Sequence, residues 1–248
     1  MNDESEDQRW ERLSQDRVDR PLPKRFYKVV GVGQDFAILL DGRGVKTPLK
    51  AKLQLPNAAV AEAVAAEWQA QELLINPASM PLTKLANTAI DRVTTERAFI
   101  CDEIKAYAAN DLLYYRAEAP SELVALQSQH WNPVLTWASI FIAAPFQTTH
   151  GVIHIAQPKE TLAAIDRHVE TLAGFHLIIA HNLTILTGSA LLAFKLMAKA
   201  SHADAVWTAA HVDEDFQISQ WGADHEATAR RAYRRQDFEA TVRFLALL

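Results

Sequence analysis

The hydrophobic period of this chain changes once, and that change limits which folds are open to it. Between Arg25 and Leu55 the apolar residues come in short runs parted by turn signals; from Asn57 onward they recur at three- and four-residue intervals, the spacing of one helical face. Residues 26–30 and 36–40 read as strands separated by Gly31-Val32-Gly33-Gln34-Asp35. Asp41-Gly42-Arg43-Gly44 reads as a second turn, followed by Val45-Lys46-Thr47 and a last run at Leu53-Gln54-Leu55. Three or four antiparallel strands result, a sheet too small to be stable uncovered. Cover is expected from the segment that Pro56 and Asn57 open, with Val60, Val64 and Trp68 on one face.

The remainder reads as helix. Residues 82–110 form one helix with a break near Thr94-Thr95, and residues 121–144 a second, with Ser121 as its cap and an interruption at Pro133. Pro158 opens a helix carrying Leu162, Ile165, Val169 and Leu172. Residues 176–199 read as a single buried central helix and residues 203–221 as another; Gly222 stops the latter and Asp224 caps the last helix, 224–248. The fold class expected is α+β: an acidic polar tail at 1–22, a small N-terminal antiparallel β/α domain at 23–110, and a multihelical C-terminal domain at 111–248. The 82–110 helix can be assigned to either domain.

Composition excludes several functions. With 49% hydrophobic and 22% charged residues among 248, the chain is globular. A net charge of -5 gives no reason to expect nucleic acid. The single cysteine, Cys101, rules out an internal disulfide and a paired-thiol site, which suits a reducing compartment. Met1-Asn2-Asp3-Glu4-Ser5-Glu6-Asp7 resembles neither a secretory nor a mitochondrial leader. The most apolar stretch, 177–197, contains His181, Asn182, hydroxyls and Lys195, so no membrane span is expected.

Signs of catalysis are sparse. Gly31-Val32-Gly33 begins like a dinucleotide fingerprint, but Phe36 replaces the third glycine and a strand follows, so a hairpin turn is the better reading. Among nine histidines, His150 and His154 flank a loop-like segment, and His176 and His181 do not share a helical face, so no metal is expected. Cys101 lies beside Asp102 and Glu103, which disfavour a thiolate. Thr187-Gly188-Ser189 sits mid-helix and reads as a close-packing point, not a nucleophile elbow. Arg230, Arg231, Arg234 and Arg235 on the last helix read as a solvated face that could also reach the acids at 213–215 and pin two helices together.

One acid stands out. On a continuous 203–221 helix, Ala203, Trp207, Ala210, Glu214, Gln217, Ile218 and Trp221 share a face, with Asp213 and Asp215 to either side. A carboxylate among tryptophans is either neutralised by an arginine of the same chain or held for a partner.

Four blocks, in order, carry a resemblance to a known family. Arg25-Phe26-Tyr27-Lys28 leads to Leu40-Asp41-Gly42-Arg43-Gly44-Val45-Lys46-Thr47-Pro48; Glu67-Trp68-Gln69-Ala70-Gln71 leads to Met80-Pro81-Leu82-Thr83-Lys84-Leu85-Ala86-Asn87-Thr88-Ala89-Ile90-Asp91. Asp111-Leu112-Leu113-Tyr114-Tyr115-Arg116 precedes Gln129-His130-Trp131-Asn132-Pro133, and Glu214-Asp215-Phe216-Gln217 runs to Trp221-Gly222 and Asp224. Together they resemble the assembly chaperones that escort the alpha subunit of the ATP synthase catalytic head in mitochondria and alphaproteobacteria. The resemblance implies a β-containing N-terminal domain, a helical C-terminal domain, and a chaperone without ATPase activity, cofactor or small-molecule substrate. It also implies a functional acid in the penultimate helical region; the run Asp213-Glu214-Asp215 leaves its register open by one residue, and the shared helical face selects Glu214. Asp213, Asp215, Phe216, Gln217 and Trp221 complete the candidate partner-binding set. The implied setting is the bacterial cytoplasm, or the mitochondrial matrix for a eukaryotic mature form. Two rivals stand beside it: an enzyme using Glu214 as general base with His211 or His225, and a permanent scaffold.

Overall fold

The computed structural model describes residues 21–248; the acidic tail expected at 1–22 lies almost wholly outside them. Strands β1 (Val30–Val32), β2 (Ile38–Leu40) and β3 (Arg43–Gly44) form an antiparallel sheet in that order, with Val30 opposite Leu40 and Leu39 opposite Gly44. The α+β architecture is as expected, but the first strand is displaced. Gly31 and Val32, read as part of a turn, lie within β1, and the chain reverses only at Gly33, where its N–H donates to the Ala37 carbonyl at 2.8 Å. Between β2 and β3, Asp41 and Gly42 have φ of 48° and 77°. Left-handed geometry at both central residues matches the twist of a two-residue hairpin. Single bridges, Ala37 to Gln54 and Lys46 to Lys52, attach the last short run to the sheet.

Helix α1 (Ala58–Gln69) covers the sheet with Val60, Ala61 and Val64 buried. Asn57 accepts from the Val60 N–H as its cap while its Nδ2 donates to the Leu247 carbonyl at 2.8 Å, tying the C-terminus to the sheet region. Glu67 reaches from α1 to the next helix. Its two oxygens accept from the Leu82 N–H at 2.7 Å and from the Thr83 N–H and hydroxyl at 2.8 and 2.7 Å. Those are first-turn donors of α2 (Pro81–Ala109), which lack partners within the helix.

α2 kinks at Glu96 (φ −123°, ψ 17°), close to the break expected at Thr94-Thr95. α3 (Ser121–Ile142) continues through Pro133, where an interruption was expected. Ser121 is its first helical residue and Pro120 occupies the cap position, so Ser121 is no cap. Between α2 and α3, Tyr115–Arg116 (β4) pairs in parallel with Thr149–His150 (β5). α4 (Lys159–Thr171) follows Pro158.

The expected central helix is two helices, α5 (Gly174–Thr187) and α6 (Ala190–Met197). Gly188 (φ 70°) ends the first in the left-handed region and Ser189 caps the second. The wholly buried Asp111 explains the break. Its carboxylate accepts from Ser189 Oγ at 2.9 Å, the Leu191 N–H at 3.1 Å and the Leu113 N–H at 3.2 Å. Burial pushes that carboxyl up to about 6 even though these hydrogen bonds pull the other way. One apolar cluster extends from Ile38, Leu53 and Val64 through Ile104 and Trp131 to Phe194, Phe238 and Phe244.

Candidate functional site

The 203–221 segment is not one helix. His211 (φ −122°, ψ 19°) separates α7 (Ala203–Ala210) from α8 (Val212–Trp221), and the shared face expected of a continuous helix does not form. Trp207 turns inward and is 7% exposed, whereas Trp221 is 80% exposed. Around Trp207 sit His211, stacked with ring centroids 4.0 Å apart, Phe238 at 5.2 Å, and the Arg235 guanidinium at 5.2 Å.

α8 divides its three acids between two sides. Asp215 pairs with Arg231 of α9 (His225–Leu247) at 2.6 Å. The expected pinning of the last two helices therefore exists, but it runs through Asp215. Glu214, partly exposed, lines a cleft of about 280 Å³ with Ala227, Arg230, Arg231 and Arg234. It is neither sealed inside nor clasped: among the described residues no basic group lies within 4.0 Å of it. Asp213 turns to the opposite side and accepts from Gln127 Nε2 of α3 at 2.7 Å.

Neither histidine proposed as a catalytic partner is joined to Glu214. His211 is buried, its Nδ1 lies 2.8 Å from the Trp207 carbonyl, and that carbonyl can only accept. Burial lowers the imidazole pKa, opposed by the hydrogen bond to the Trp207 carbonyl and more weakly by Glu214, and assisted by Arg231 and Arg234. His225 is exposed at the start of α9. Cys101 is buried, which raises its thiol pKa. Among the described residues no group of three or more His, Cys, Asp or Glu is placed to hold a metal.

The other face of α8 forms one wall of a groove of about 420 Å³. Asp213, Phe216, Gln217 and Trp221 line it from that side. Tyr115 and Arg116 of β4, Leu123 of α3, and Gly151 and Val152 after β5 line it from the other. Buried Gln127 joins the walls: besides donating to Asp213, its Oε1 accepts from the Ala117 N–H at 2.8 Å. Four of the six candidate residues (Asp213, Phe216, Gln217, Trp221) thus meet in the groove, and Glu214 and Asp215 face the arginines of α9 instead.

Most of the groove residues were not singled out by sequence reasoning. Gln127 and Val152 carry no sequence signal. Arg116 does, because it closes the block beginning at Asp111, but nothing in a linear reading says that it lacks a counter-ion among the described residues.

A family model described as "ATP12 chaperone protein" matches residues 24–139. Atp12 from Paracoccus denitrificans superimposes with a TM-score of 0.86 at 37% identity, over 91% of this chain and 98% of that one. The chain belongs to the ATP12 chaperone family. A point mutant of the Paracoccus Atp12 gives the same TM-score and identity, over 91% of this chain and 97% of that one. A candidate chaperone from Agrobacterium tumefaciens matches with a TM-score of 0.85 at 39% identity, over 94% of this chain and 89% of that one.

The 24–139 match includes the Arg116 and Gln127 wall of the groove, while the α8 wall lies beyond it. Membership in a chaperone family suggests a task of binding, not of turnover. The geometry around α8, an open groove with apolar rims and separated charges, is suited to that. Among the described residues no helix is long and apolar enough to cross a membrane.

Proposed function

We propose that this chain is an assembly chaperone that binds the unassembled alpha subunit of the ATP synthase catalytic head and keeps it from aggregating. The likeness to Paracoccus Atp12, 37% identical over 91% of the chain, carries this reading. An alpha subunit awaiting its neighbours exposes an apolar interface that associates wrongly if left bare. A temporary cover needs aromatic anchors for affinity and charges for specificity and release.

The α8 region offers both. Trp221, Phe216 and Gln217 supply contact area beside Asp213, with Glu214 and Asp215 one helical face away. Glu214 has no partner at ion-pair distance among the described residues, so a basic group of the client can compete for it with the arginines of α9. We place this work in the bacterial cytoplasm, or in the mitochondrial matrix for a eukaryotic form.

The test is light scattering from isolated alpha subunit warmed alone and with the chain. Suppression at a stoichiometric ratio is expected; scattering unchanged at that ratio refutes the proposal. Glu214→Lys should abolish co-purification of the alpha subunit while leaving thermal unfolding where it was.

A further inference from the structure

Among the described residues, Arg116 is a groove residue whose hydrogen bonding is left unfinished. Its guanidinium sits 5.1 Å over the Trp131 ring and donates through Nη1 to the Gln127 carbonyl at 3.3 Å. Its Nε is buried and has no hydrogen-bond partner among the described residues. Nor does any described carboxylate lie within 4.0 Å of it. The nearest candidate in the groove, Asp213, is turned toward Gln127. Burial lowers the Arg116 pKa and no neighbouring charge opposes that. A half-buried cation with no counter-ion is costly to keep. Two apolar side chains stand exposed on the groove rims: Trp221 is 80% exposed and Val152, on the opposite rim, 97%.

We infer that this groove receives a client segment carrying an Asp or Glu side chain next to a bulky apolar one. The carboxylate meets the Arg116 guanidinium, and the apolar side chain packs between Val152 and Trp221. This rests on the chaperone reading above and specifies what the α8 groove recognises in the alpha subunit. The planar guanidinium, already oriented by Trp131, suits a carboxylate better than a point charge would. The charge is complementary to an acid and to no other common protein side chain. Arg116 is therefore the specificity determinant of the groove, while Glu214, on the other face of α8, engages the client through basic groups.

The experiment measures binding of isolated alpha subunit to the immobilised full chain by biolayer interferometry. Variants are Arg116→Met, Arg116→Lys, Val152→Glu and Val152→Lys. Arg116→Met keeps an apolar side chain against the Trp131 ring; it gives up the cation–π contact and the Gln127 hydrogen bond but also removes a charge with no counter-ion among the described residues. Its melting temperature should stay level or rise while affinity falls about tenfold or more; Arg116→Lys should fall between it and wild type. The Val152 pair guards against a misfolded Arg116 variant, because a side chain 97% exposed has no packing to lose. Both substitutions lose the apolar contact of Val152, but a glutamate on that rim should also repel the incoming carboxylate, so Val152→Glu should weaken binding several-fold more than Val152→Lys. Equal effects of Val152→Glu and Val152→Lys, or wild-type affinity in a folded Arg116→Met, overturn the inference with the chaperone reading intact. No binding by wild type overturns both.

Discussion

Gln127 and Asp213, 86 residues apart in the chain, are joined by a 2.7 Å hydrogen bond that fixes α8 against α3. The two ends of that bond differ in environment. Gln127 is 3% exposed and also accepts from the Ala117 N–H, whereas Asp213 is exposed at the groove edge. One side chain therefore sets the width of the groove from inside the fold.

Gln127→Ala should cost about 1–2 kcal/mol, because the partly buried Ala117 N–H loses its acceptor. Asp213→Asn keeps an acceptor in place and should stay within about 0.5 kcal/mol of wild type. Urea unfolding with both variants checks the contrast; equal losses would mean that the bond is not anchored from the Gln127 side.

The two tryptophans near the end of the chain should behave oppositely. Trp207→Ala empties a buried site beside Phe238 and should cost roughly 3–5 kcal/mol. Trp221→Ala should alter stability by less than about 0.5 kcal/mol yet weaken client binding. Thermal melts and alpha-subunit binding on the same preparations separate these outcomes.

Asp111→Ala should be among the most damaging single changes, at about 3 kcal/mol or more. It strips acceptors from the Ser189 hydroxyl and from the Leu191 and Leu113 N–H groups, all inside the fold. Asp111→Asn should recover only part, since its amide nitrogen must face a donor. Chemical denaturation gives the order of the three proteins.

His211 predicts an acid-sensitive contribution to stability. Its folded pKa lies below the ordinary 6.5, so the unfolded chain binds the proton more readily than the folded one. Its contribution is therefore fully present above pH 6.5 and is lost as pH falls through the folded value. The stability of His211→Gln should accordingly fall less than that of wild type between pH 7 and pH 5, read by urea midpoints across that range.

The Asp215–Arg231 ion pair should couple only weakly. Its side chains are 44% and 21% exposed, and a double-mutant cycle should return about 1 kcal/mol or less, diminishing with salt. A larger value would make this contact, and not packing, the main link between α8 and α9.

Much of this architecture is legible in the residue pattern because it is local. Asn57 and Asp224 cap helices through side chains that bond three residues ahead, and Asp41-Gly42 reverses the chain between adjacent strands. Such signals act over a single turn, so a linear reading finds them. Where reading along the chain failed, the competing interaction came from far away. Apolar content alone makes 176–199 one helix, but Asp111 draws Ser189 into a cap and Gly188 supplies the left-handed exit. Pro133 was expected to interrupt α3, yet the helix continues through it, with neighbours such as Trp131 and Val134 buried in the common core.

The candidate site divides in the same way. Residue order alone marked the last two helices, their acids and their arginines as the place where charge and aromatic surface meet. Only the tertiary fold decided which acid faces which neighbour. The turn at His211 separates α8 from α7, with Trp207 buried, Trp221 exposed, Asp213 turned to Gln127, and Glu214 and Asp215 turned to the arginines of α9. It also brought Arg116 to the opposite wall of the groove, from about a hundred positions earlier in the chain. A sequence records periodicity and capping because those depend on neighbours a few bonds away. Whether a charge has a counter-ion depends on chain segments that meet only when the core closes.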